Sequence, residues 1–85
     1  MHDGASIPSH GEVISQIVAR MLLAAGRPPV GRRDNLRKAG FSSLDLVTLM
    51  LAVEDAFDLV LPQEKMTPAS FQSIEAIEAL VSSLA

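Results

Sequence analysis

The sequence predicts an all-α protein, a small bundle of three main helices with one or two short helical turns, and three observations carry that expectation. Apolar residues recur at helical spacing in three separate stretches. Each stretch is preceded by a serine placed to cap a helix, and the first two run into glycine or proline. Hydrophobic residues make up 48% of the chain but aromatic residues only 4%, all of them Phe. The core must therefore be built from Leu, Val, Ile, Met and Ala, a mix that favours helices over sheets. At 85 residues the chain is long enough for one domain with a single thin core, and too short for a large internal active site.

Residues 1–8 are polar, contain Gly4 and Pro8, and cannot bury enough area to order themselves, so they are expected as a flexible tail ahead of a domain over 9–85. Ser9-His10-Gly11-Glu12 has capping-box spacing: the serine oxygen can accept one orphan amide while Glu12 reaches back to another. From there Val13, Ile14, Ile17, Val18, Met21, Leu22 and Ala25 form one stripe. Gly26 is suited to a left-handed cap and Pro28-Pro29 to a stop, so the first helix ends at about Ala25. The connection over 26–41 is long for a compact domain, and Val30, Leu36 and Phe41 are its expected anchors. Within it, Asp34 or Asn35 can cap one helical turn through Lys38, and Gly40 supplies the backbone freedom to aim the next segment.

In the second helix Ser42 reads as N-cap with Asp45 three residues on, which leaves Ser43 at the first helical position with its side chain facing water. Leu46, Leu49, Met50, Val53 and Phe57 share the core face. Leu44, Thr48, Leu51 and Asp55, flanked by Val47 and Glu54, form a second face available for contact. After Phe57 the segment Asp58 to Pro62 reads as an extended exit with its leucines and valine on the core, followed by a polar connection from Gln63 to Met66. Thr67-Pro68 starts a short turn closed by Phe71. Ser73 then caps the last helix, buried through Ile74, Ala76, Ile77, Leu80, Val81 and Leu84.

Composition narrows the chemistry. The chain has no Cys, so it offers no disulfide, thiolate metal site or cysteine nucleophile of its own, and any thiol must come from a cofactor. Its opening residues lack the regions of a signal peptide and no apolar run approaches a membrane span, so a soluble, cytoplasmic monomer is expected. Five of the seven basic residues (Arg27, Arg32, Arg33, Arg37 and Lys38) lie in one loop, while most acidic residues follow Ser43. With a net charge of -3 and no Tyr or Trp to stack on bases, that cluster reads as a solvated loop and not a nucleic-acid site. His2, Asp3 and His10 are too few and too close to a mobile end for a metal site. No Gly-x-Ser-x-Gly elbow supports a hydrolase, so no catalytic residue is expected.

From about Leu36 to Leu84 the residues resemble acyl carrier proteins, whose usual segment reads Leu-Gly-x-Asp-Ser-Leu, then an apolar helix ending Leu-Glu-x-x-Phe, then an Ile-Pro-like exit. Here the chain has Ala39-Gly40-Phe41-Ser42-Ser43-Leu44, Val53-Glu54-Asp55-Ala56-Phe57 and Leu61-Pro62 in the same order. The resemblance implies 4'-phosphopantetheine attached to Ser43 by a phosphopantetheinyl transferase, with cargo held as a thioester and passed between separate enzymes. It also implies that Leu44, Asp45, Leu51, Glu54 and Asp55 form the surface that those enzymes read. The chain departs from the pattern at Ser42, where an aspartate is usual, and at Thr48 and Ala56, often acidic in fatty-acid carriers. Ala-Gly-Phe-Ser-Ser and the later Phe-Gln-Ser-Ile-Glu-Ala-Ile-Glu are most similar to small free-standing aminoacyl carrier proteins. That points to an amino acid:carrier protein ligase as loading partner and a separate acyl acceptor downstream. A fatty acyl or polyketide carrier, and an unmodified helical interaction module, are the alternative readings.

Overall fold

The computed structural model describes residues 9–84. The tail expected over 1–8, and Ala85, lie outside the described residues. Three helices form the bundle: α1 over His10–Ala24, α2 over Ser43–Phe57 and α3 over Ile74–Leu84. A single turn of 3-10 helix, Gln63–Lys65, stands where a polar connection was expected. No strand occurs among the described residues.

The caps fall where the serines predict them. Ser9 Oγ accepts from the Glu12 amide at 3.1 Å and Glu12 Oε1 accepts from the Ser9 amide at 3.3 Å, so both halves of the first capping box are made. At the other end Gly26 takes φ +70°. Its amide reaches Leu23 O at 3.0 Å while the Arg27 amide reaches Leu22 O at 2.8 Å, the two bonds of a Schellman motif. α3 starts on Ser73, whose hydroxyl accepts from the Ala76 amide at 3.1 Å. α2 ends in a second Schellman-type turn, with Asp58 in the left-handed region at φ 49° and the Leu59 amide on Glu54 O at 3.1 Å.

α1 packs against both α2 and α3. Ile14, Val18 and Leu22 meet Leu46, Leu49, Met50 and Val53 of α2 and Ile74, Ile77, Leu80 and Val81 of α3 in one core. Burying each such side chain contributes about 1.5 to 3 kcal/mol against roughly 1 kcal/mol for a cap, so packing holds the bundle and the caps set where helices begin. His10 meets Phe57 edge to face at 5.1 Å and lies 3.4 Å from Ser82 Oγ through Nδ1. The start of α1 thus sits beside the ends of α2 and α3. The starts of α2 and α3 lie at the opposite end, under the long loop.

That loop is fastened through both backbone and side chains. Leu36 and Phe41 are buried and Val30 packs on the core. The Leu36 amide donates to Gln72 O at 2.8 Å and the Glu75 amide to Arg32 O at 2.9 Å. Arg32 pairs with Glu78 and Arg33 with Glu75, so part of the basic cluster serves to tie the loop to α3. Three expected core residues differ. Val60 is 85% exposed because side chains alternate along the extended exit and Leu59 and Leu61 take the inward positions. Ala25 is exposed beyond the last turn of α1, and Leu84, at the end of α3, is 37% exposed.

Candidate functional site

The start of α2 is shaped by three consecutive backbone decisions. Asn35 Oδ1 accepts from the Lys38 amide at 3.0 Å and Asn35 O from the Ala39 amide at 3.0 Å, which closes one helical turn. Gly40 then takes φ +113°, a conformation that costs a side chain roughly 1–2 kcal/mol. The reversal sends Phe41 into the core, where its amide donates to Leu36 O at 3.0 Å. Ser42 and Ser43 are left on the outside.

The two serines differ in what binds them. Ser42 Oγ accepts from the Asp45 amide at 3.0 Å, and Asp45 Oδ2 accepts from the Ser42 amide at 2.8 Å. Those bonds, first the backbone one and then the hydroxyl one, hold the Asp45 carboxyl below its ordinary range against an opposing effect of burial, and the Arg27 charge adds least. Ser43 stands one residue on, exposed at the first helical position, and among the described residues its hydroxyl meets only Arg37 Nη1, at 3.4 Å. The amides of Ser43 and Leu44 precede the first intrahelical bond, so they and the helix dipole present positive potential beside that oxygen.

The predicted contact residues are distributed unequally. Leu44 is 74% and Leu51 57% exposed, and Val47 between them is also exposed, so the three make an apolar line at i, i+3 and i+7. Asp55 is exposed further along α2. Asp45 and Glu54 carry structural bonds as well: Asp45 belongs to the cap, and Glu54 Oε2 accepts from the Leu61 amide at 2.7 Å and holds the exit from α2. A groove of about 300 Å³ opens directly from Ser43, lined by Leu46, Val47, Met50, Met66 and Pro68. Arg37 and the Met66 and Pro68 wall were not singled out in the sequence. Their signal is tertiary, because a loop and a turn distant in the chain meet α2 only when the bundle closes.

Such a site fits a covalently attached anionic group with a long arm: a free hydroxyl, positive potential around it and an apolar groove leading away. Among the described residues no group of three or more His, Cys, Asp or Glu could hold a metal ion. The sequence expectation about His2 and Asp3 lies outside the described residues. No helix among the described residues is long and apolar enough to cross a membrane.

Residues 12–81 match the phosphopantetheine attachment site family. The chain belongs to that family: it is a non-catalytic carrier domain for covalently attached 4'-phosphopantetheine. Within it, aminoacyl carrier protein 1 of Bradyrhizobium diazoefficiens is 39% identical over 82% of this chain and 74% of its own length. The aminoacyl carrier protein of Agrobacterium fabrum is 47% identical over 55% of this chain and 57% of its own. Two solved complexes of Bradyrhizobium japonicum glycine:carrier protein ligase contain a similar chain. In the complex with cognate carrier protein and a glycyl adenylate analogue the TM-score is 0.80 at 34% identity, covering 87% of this chain and 96% of that one. In the complex with glycylated carrier protein the TM-score is 0.78 at 34% identity, covering 84% and 96%. The three-helix bundle expected from the sequence is the fold of these neighbours.

Proposed function

We propose that Ser43 is the attachment residue and that the chain carries an amino acid, with glycine the first to test, from a ligase to a separate acceptor enzyme. The observation that carries this reading is the division of labour at the start of α2. Ser42 is spent on the cap, and Ser43 Oγ is exposed at the positive end of the helix. When attached, phosphopantetheine supplies the thiol that this cysteine-free chain lacks. As the phosphoester bond to Ser43 Oγ forms, the hydroxyl gives up its proton and the pyrophosphate bond of the coenzyme A donor breaks, with adenosine 3',5'-bisphosphate as the leaving group. The amides of Ser43 and Leu44 and the α2 dipole favour the resulting negative charge. Leu46, Val47 and Met50 offer apolar surface beside it.

Leu44, Val47, Leu51 and Asp55 form the face that we assign to partner enzymes: the phosphopantetheinyl transferase, the ligase and the acceptor. Asp45 and Glu54 lie at its edge and support it through their bonds to Ser42 and Leu61. Amino acid cargo is favoured by the relatives at 39% and 47% identity and by the ligase complexes. The test is loading of the phosphopantetheinylated protein by an amino acid:carrier protein ligase with ATP and glycine. One glycyl group is expected on the thiol of the parent and none on Ser43→Ala. Refusal of every amino acid tried, together with acceptance of a fatty acyl group, would replace the aminoacyl reading with the acyl one.

A further inference from the structure

The cations between Gly26 and Phe41 are not equivalent. Arg32 and Arg33 are paired with Glu78 and Glu75. Arg27 lies over Gly40, so close that a Cβ there would meet its guanidinium, and its charge acts on Asp45. Arg37 and Lys38 are exposed, and of the two it is Arg37 that faces Ser43, with Nη1 3.4 Å from Oγ. At that distance the bond to a neutral hydroxyl is weak. A guanidinium is matched to a phosphate oxygen, where its fork of donors forms charge-assisted bonds.

We propose that Arg37 holds the phosphodiester of the modified protein, pairing with the charge that attachment places on the phosphate oxygens two bonds beyond Ser43 Oγ and so fixing the first part of the arm against the loop. The inference rests on Ser43 being the attachment residue. Arg37 is then the cation that answers the anion at Ser43, while Arg27 lies over Gly40 and acts only weakly on Asp45. Asp45, the carboxylate that would oppose a phosphate there, is turned onto the Ser42 amide at 2.8 Å. The loop that carries Arg37 is itself anchored, through buried Leu36 and its amide bond to Gln72 O and through the turn capped by Asn35. Little ordering is left for Arg37 to undergo beyond its own side chain.

The test compares thermal midpoints of the unmodified and phosphopantetheinylated forms at low salt for the parent, Arg37→Gln and Lys38→Gln, with intact mass establishing one group per chain. Modification should raise the midpoint by about 2–6 °C in the parent and in Lys38→Gln. In Arg37→Gln, and in the parent at high salt, the rise should fall at least by half. An equal rise in all three proteins, or none in the parent, overturns the proposal. If Arg37→Gln resists modification, the parent decides alone: its Arg37 Nε–H resonance must shift on modification, and an unmoved resonance overturns the proposal. A parent that takes up no phosphopantetheine contradicts the Ser43 reading instead.

Discussion

Ser42 and Ser43 carry the same hydroxyl and differ only in what the helix start has already claimed. Ser42→Ala removes a cap acceptor and should cost about 1 kcal/mol, seen as a midpoint lower by roughly 4–8 °C, while phosphopantetheine uptake continues. Asp45 adds a pH dependence with a defined sign. Its folded pKa is lowered by the Ser42 bonds, so its contribution is fully present above the ordinary aspartate range and is lost as pH falls through the lowered value. Thermal midpoints of the parent and Asp45→Asn should therefore differ at neutral pH and converge in acid. A gap that stays constant into acid would remove the cap from the account.

At the scale of elements, α2 presents two faces with separate consequences. Leu49 is fully buried in the core, and Leu49→Ala should cost about 2–5 kcal/mol by denaturant unfolding. Leu51 lies on the exposed line, so Leu51→Ala should change stability by no more than about 0.5 kcal/mol. Its effect should show instead as a lower kcat/KM for the ligase that loads the carrier, and unaltered loading kinetics would take Leu51 out of the partner face. Much of this architecture is legible in the sequence. Periodicity separates the Leu46, Leu49, Met50 and Val53 face from the Leu44 and Leu51 face, and Ser9, Gly26, Ser42 and Ser73 mark helix ends by their own chemistry. Asp58 as the left-handed residue closing α2 is not legible there, because aspartate adopts that conformation only occasionally. Val60 misleads for a different reason: its hydrophobicity argues for the core, but the two-residue alternation of the exit gives the inward positions to Leu59 and Leu61.

At the scale of the whole molecule, the loop over 26–41 joins the ends of all three helices. Arg32 and Arg33 reach α3, Leu36 is bonded to Gln72, and Arg37 lies at the start of α2. The exposed ion pairs contribute only about 0–1 kcal/mol each, so burial of Leu36 and Phe41 and the backbone bonds do most of the fastening. Because Ser43 lies between that basic loop and the acidic turns of α2, charge of both signs flanks the attachment residue we propose, and such charge orients docking more than it strengthens it. None of this relation between loop and site could be seen in the sequence, where Arg37 is one of five similar cations. The central claim is tested most directly by intact mass after incubation with coenzyme A, Mg2+ and a phosphopantetheinyl transferase that is active on a control carrier. The account predicts one added phosphopantetheinyl group on the parent and none on a folded Ser43→Ala. The same addition on Ser43→Ala, or none on the parent, would contradict it.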